Sequence, residues 1–256
     1  NYELYISFPA NYSNKDTIAY PVLYVLDGRQ DFGWFTEKNK QLKGNGKIKD
    51  VIIVGVNSGM DFVSWGANRY YDYTPTQDTI HDRKFEKEAA QTYNLDYNMV
   101  KGRLNSGGAE KFLQTLKTEI IPIIEKNYKT NDSRGISGHS LGGLFAAYCL
   151  INYDGYFDKF GINSPSFWWN KEELLNQAIS KFKDTKYWNI PKSKVFISVG
   201  AKEGDKMVPQ MIQFSMNLEE RNYQNIDSKW YVFDNETHSS VARLSLSKTL
   251  TELYGN

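Results

Sequence analysis

Only one cysteine and three histidines occur in the 256 residues of this chain. A single cysteine, Cys149, excludes an internal disulfide, and its place inside an apolar run reads as a core thiol. His81, His139 and His238 share no ligand spacing with one another or with the cysteine, so neither a metal nor another cofactor is expected. An excess of one charge is also missing: 31 basic residues balance 30 acidic ones, for a net charge of +1. No basic block stands out, so nucleic acid and anionic membranes are not expected partners. The longest uncharged apolar run, Leu141 to Ile151, stops well short of the ~18 residues a membrane span requires. Residue 1 is Asn rather than Met, which reads as the mark of a removed upstream piece; a periplasmic or secreted setting is favoured over the cytoplasm. The oligomeric state is left open.

What is present is a globular composition, 40% hydrophobic and 24% charged. It suits one domain spanning residues 1–256. Short β-type runs end at turn signals: Tyr2 to Phe8, Pro21 to Leu26 and Val51 to Val56, then Gly135 to Ser137, Phe160 to Asn163, Lys194 to Val199 and Lys229 to Phe233. Most are continuously apolar, the pattern of strands buried on both faces. Helical spacing lies between them, over Ala109–Tyr128 with a kink or restart at Pro122, and over Leu141–Asn152, Lys171–Phe182 and Ser239–Tyr254. This alternation predicts an α/β fold with a mostly parallel central sheet and helices on both faces. One polar stretch, about residues 74–108, interrupts the rhythm and carries no strand signal. It reads as a surface excursion, either a cap over a site or a loop without a role.

The segment Gly138-His139-Ser140-Leu141-Gly142 follows a short strand run and precedes a helical one. A nucleophile elbow requires that context: a sharply turned serine between strand and helix, with glycines where the two cross. A serine attacks only when a base takes its proton. His139 adjoins Ser140 and reads as packing at the elbow, while His81 falls in the polar excursion. His238 lies late in the chain, beyond an apolar strand, and is the base by elimination and by order. For the acid that orients it, the turn after the Lys194–Val199 strand offers Glu203, with Asp205 as the alternative. Two N–H groups would stabilise the oxyanion: that of Leu141, and that of Arg29 or Gly28 in the turn after "PVLYVLDG".

"PVLYVLDG", "NRYYDYTPT", "GISGHSLGG", "NSPSFWW" and "DNETHSS", in this order, resemble the esterase family that includes esterase D, and within it the enterochelin-esterase branch. The resemblance implies an α/β-hydrolase fold, with Ser140 as nucleophile, His238 as base, Glu203 as acid and Arg29 as the second oxyanion donor. It also points to siderophore or feruloyl esters. Aromatic side chains gather beside the motifs, and Trp168, Trp169 and Tyr71 are read as lining a substrate pocket, with Arg69 and Arg29 supplying positive charge. The expected activity is hydrolysis of a small-molecule carboxylic ester, possible substrates being siderophore or other bulky aromatic esters. Carbohydrate esters and acyl transfer use the same residues. A hydrolase-like binding module without chemistry is the reading of another class.

Overall fold

The computed structural model describes residues 2–15, 17–59, 62–152, 155–183 and 191–256, with the backbone alone at 62 and 63. Its strands are β1 (Tyr2–Ser7), β2 (Tyr20–Val25), β3 (Ile52–Ser58), β4 (Thr130–His139), β5 (Lys159–Asn163), β6 (Ser193–Gly200) and β7 (Ile226–Phe233). Among the described residues they form one seven-stranded sheet in the order β1-β3-β2-β4-β5-β6-β7. Only β1 runs antiparallel to its neighbour. Every residue of β3 is buried, as its unbroken apolar run predicts, whereas β7 on the edge shows only alternate partial burial.

Helices α1 (Gly28–Gly44), α2 (Phe62–Tyr73), α3 (Thr79–Thr92), α4 (Tyr97–Val100), α5 (Ala109–Thr115), α6 (Ile121–Asn127), α7 (Leu141–Ile151), α8 (Glu173–Lys183), α9 (Gly204–Glu219) and α10 (Val241–Tyr254) cover the sheet. One core holds Phe35 of α1 and Leu246 and Leu250 of α10 against Leu23, Val25 and Ile53. The larger core packs α5, α6, α7, α8 and α9 on the opposite face. The 109–127 run is continuous, but a π-helical turn, Leu116–Ile120, precedes Pro122 at the start of α6. Such a turn accommodates a residue that cannot donate to the helical ladder. The excursion is not a bare loop, since α3 and α4 form within it. No helix of the described residues is long and apolar enough to cross a membrane.

Because β2, β4, β5, β6 and β7 run parallel, the turns at their carboxyl ends emerge on one edge of the sheet. Strand order reverses between β2 and β4, the point at which α/β sheets open a crevice. Asp27 follows β2 there and Ser140 follows β4.

Candidate active site

The elbow is dictated by its glycines. A Cβ on Gly138 would lie 2.5 Å from the backbone of Gly142, and one on Gly143 would collide with the Asn163 carbonyl. Bare backbone lets β4 and α7 cross at that distance. The crossing forces Ser140 to φ 62°, ψ −122°, a region costing a non-glycine residue on the order of 1–3 kcal/mol. The Ser140 N–H is held at 3.0 Å from the Asn163 carbonyl, and the Leu144 N–H begins α7 by donating to the Ser140 carbonyl, also at 3.0 Å. Leu141 opens the helix, so its N–H has no acceptor within α7.

Ser140 Oγ lies 3.0 Å from His238 Nε2, and His238 Nδ1 lies 2.6 Å from Glu203 Oε2. The loops carrying the acid and the histidine are laced together. Ala201 N–H donates to the Phe233 carbonyl at 2.9 Å, and Lys202 N–H donates to the Glu236 carbonyl at 2.8 Å. Gly200 permits the approach, for a Cβ there would sit 2.5 Å from the Glu236 oxygen. The second Glu203 oxygen accepts from the Gly200 N–H and the Ser164 hydroxyl, both at 2.6 Å. Burial by itself would raise the Glu203 pKa, but hydrogen bonds from His238, Ser164 and Gly200 outweigh it and hold the carboxylate below its usual range. Asp205 is exposed in the first turn of α9 and stands outside this arrangement.

The His139 ring packs against that of His238, their centroids 4.5 Å apart and their planes tilted by 38°. Burial, reinforced by the nearby His238, lowers its pKa to about 4, so it stays neutral at physiological pH. Sequence reading treated it as packing at the elbow and did not reveal that it packs on the second imidazole.

Across the crevice, Asp27 adopts a left-handed conformation, φ 53°, ψ 40°, and starts α1 at Gly28. A Cβ on Gly28 would meet the Gly55 backbone at 2.7 Å, which requires glycine at the turn. The Asp27 carboxylate comes within 3.5 Å of the Cβ position of Gly142, so the turn abuts the first residues of α7. The amino ends of α1 and α7, each the positive end of a helix dipole, therefore flank the serine. Arg29 occupies the second position of α1, with its side chain exposed.

The residues read as pocket lining separate. Trp168 is half-buried two positions after Ser166, whose hydroxyl lies 3.5 Å from Ser140 Oγ. Trp169 is only 2% exposed and belongs to the core, its Nε1 donating to the Thr76 carbonyl at 3.1 Å. Tyr71 packs across the Gly108 backbone at the base of the excursion. Arg69 offers no spare positive charge: its guanidinium is paired with Asp27 and lies over the Trp65 and Tyr73 rings. Sequence reasoning missed Ser164 and Ser166, both inside the quoted "NSPSFWW", and the Arg69–Asp27 pair, whose members lie in two separate quoted motifs.

A family model described as "Putative esterase" matches residues 1–240. The ferri-bacillibactin esterase BesA of Bacillus subtilis is 28% identical over 97% of this chain and 83% of its own length. An apo-salmochelin esterase of Escherichia coli is 28% identical across 62% of this chain and 46% of that protein. The crystal structure of the BES protein from Bacillus cereus superposes with a TM-score of 0.80 at 32% identity, covering 99% of this chain and 90% of that one. A match over residues 1–240, on this sheet, means that the chain belongs to the esterase family and is a carboxylic ester hydrolase of the α/β-hydrolase fold.

Proposed function

We propose that the chain hydrolyses a siderophore ester through a seryl acyl-enzyme, with Ser140 as nucleophile, His238 as base and Glu203 as the acid that orients it. The observation that carries this reading is the continuous chain from Ser140 Oγ to His238 Nε2 at 3.0 Å and from His238 Nδ1 to Glu203 Oε2 at 2.6 Å. With Nδ1–H donating to Glu203, Nε2 is left with a lone pair facing the serine. His238 takes the Ser140 proton as Oγ attacks the ester carbonyl carbon. The resulting oxyanion is received by the Leu141 and Arg29 N–H groups, donors worth roughly 10² to 10³ in rate each. Collapse expels the alcohol, which takes the proton from Nε2 and leaves an ester on Ser140. Water then attacks that ester, again deprotonated by His238, and the acid is released as Ser140 regains its proton.

Support for the substrate class comes from relatives named as esterases of ferri-bacillibactin and apo-salmochelin. Labelling with a fluorophosphonate, together with turnover of a siderophore ester, tests the reading. Native protein should label and Ser140→Ala should lose both label and turnover. Labelling that survives the substitution would refute the assignment of the nucleophile, and faster turnover of acetyl or feruloyl sugar esters on a substrate panel would refute the siderophore class. A binding module without chemistry would not label.

A further inference from the structure

Ser164 follows the last residue of β5 with φ 42° and stands directly before Pro165. That backbone is disfavoured twice. A Cβ crowds the left-handed region, and a proline pushes the residue before it toward extended conformations. Glycine would hold the same φ with less strain, so the serine side chain must supply something that glycine lacks. It is buried at 0% exposure, and its hydroxyl donates to Glu203 Oε1 at 2.6 Å. The direction of this bond is fixed, because an ionised carboxylate only accepts.

The surroundings of Ser164 determine where that hydroxyl points. Its N–H donates to the Ser198 carbonyl of β6 at 2.7 Å. On one side of it, the Asn163 carbonyl accepts from the Ser140 N–H at 3.0 Å; on the other, the Ser166 N–H donates to the Ser140 carbonyl at 3.2 Å. The backbone of the nucleophile is thus held by both neighbours of the Ser164–Pro165 pair. The Asn163 side chain is anchored in turn. Its Oδ1 accepts from Ser198 Oγ at 2.9 Å and from Thr249 Oγ1 of α10 at 3.1 Å, and its Nδ2 donates to Ser137 Oγ of β4 at 3.3 Å. Asn163, Ser198, Thr249 and Ser137 are all 0% exposed, and a buried polar cluster with satisfied members admits few other arrangements. Through it, the end of β5 is tied to β4, to β6 and to the helix that begins just after His238.

We propose that Ser164 is a positioning residue of the triad: its hydroxyl holds the Glu203 carboxylate in the orientation that presents Oε2 to His238, and the Asn163 anchor ties that hydroxyl to the nucleophile elbow. The inference rests on Glu203 serving as the acid. Two donors reach Glu203 Oε1, the Gly200 N–H and the Ser164 hydroxyl, both at 2.6 Å. Gly200 belongs to the same turn as the acid and moves with it. Of the two, only Ser164 joins the carboxylate to another strand. Without that bond the carboxylate swings more freely and the imidazole with it. The loss falls on proton transfer during the chemical steps and spares substrate binding, so it appears in kcat and leaves KM.

Two variants remove the hydroxyl and differ in strain. Ser164→Ala keeps a Cβ at positive φ, whereas Ser164→Gly relieves it. Steady-state hydrolysis of p-nitrophenyl butanoate should show kcat about tenfold lower in both, the lower end for one hydrogen bond to a charged group, with KM within twofold. Urea denaturation should place the midpoint of Ser164→Gly above that of Ser164→Ala. In a Glu203→Ala background, Ser164→Gly should change kcat by less than twofold, since the residue it acts through is gone. A wild-type kcat in Ser164→Gly would overturn the proposal, as would a full tenfold loss in the Glu203→Ala background. So would a kcat loss confined to the less stable alanine variant. If Ser164→Ala does not fold, the glycine variant and the double variant still decide. Unchanged kcat in Glu203→Ala alone would refute the acid itself, which separates that failure from a failure of Ser164.

Discussion

The Arg69 guanidinium clasps the Asp27 carboxylate through two parallel hydrogen bonds, Nε to Oδ1 at 2.8 Å and Nη2 to Oδ2 at 2.9 Å. The pair is largely withdrawn from solvent, with 18% of the arginine side chain and 6% of the aspartate exposed. Tyr73 completes the clasp, its hydroxyl accepting from the Asp27 N–H at 3.0 Å. Helix α2 thus holds in place the left-handed turn that begins α1. An arginine committed in this way braces the crevice and has no charge left for an anionic substrate. Replacing Arg69 with Met leaves a buried carboxylate unpaired, which costs about 3–5 kcal/mol. Urea denaturation should show that loss, and Arg69→Lys should recover only part of it because an ammonium cannot bond in the bidentate geometry.

Glu203 and Asp205 separate cleanly as candidates for the orienting acid. Glu203 bonds His238 at 2.6 Å with its side chain at 0% exposure, whereas Asp205 is exposed. Glu203→Gln should lower kcat by 10²-fold or more, approaching the ~10⁴ known for the aspartate of a serine protease triad. Asp205→Asn should stay within about twofold, since surface substitutions away from a site usually cost little. Steady-state kinetics on one ester decides the matter, and the reverse ranking would move the acid to Asp205.

Gly200 offers a test of geometry without removing any functional group. In Gly200→Ala the new Cβ would lie 2.5 Å from the Glu236 oxygen, so the loop bearing His238 must retreat from Glu203. Displacements of about 1 Å in such a unit cost on the order of 10² in rate. We expect kcat to fall about that far while KM changes little. A wild-type kcat would mean that the loop yields without disturbing His238.

The sheet was legible because its strands are short apolar runs closed by turn residues, and all seven predicted runs are strands in the structure. That Ser140 and His238 come within 3.0 Å of one another was legible for a different reason, since chain order and the scarcity of histidine leave few alternative partners for the serine. Helix α3 was invisible because its acids point inward and its apolar residues outward, which erases the periodic signal of a surface helix. The Arg69–Asp27 pair was misread because both sequence neighbourhoods suggest other roles; only the fold brings residues 42 positions apart together. Trp169 was misread because its position in the chain, next to Trp168, says nothing of which face it turns to the core.

His139 carries a pH signature of its own. Burial lowers its pKa to about 4, against an ordinary value near 6.5, so the unfolded chain takes up a proton in this window and the folded chain does not. Acidification from pH 6.5 to pH 4 therefore favours unfolding, by an amount on the order of 3 kcal/mol at the lower end. Asp31 works in the opposite sense. Burial and the neighbouring Asp27 raise its pKa to about 7, so its stability contribution is present at low pH and lost as pH rises through about 7. The two effects oppose one another in the native protein, and a single stability curve conceals both. Differences between variants reveal them. Relative to wild type, His139→Phe should gain stability steadily as pH is lowered from 6.5 to 4, with an aromatic ring still packed against His238. Asp31→Asn should gain relative to wild type as pH rises from about 4 to 7. Urea midpoints collected across this range would measure both slopes. A His139→Phe curve parallel to wild type would show that the imidazole already titrates normally in the folded state.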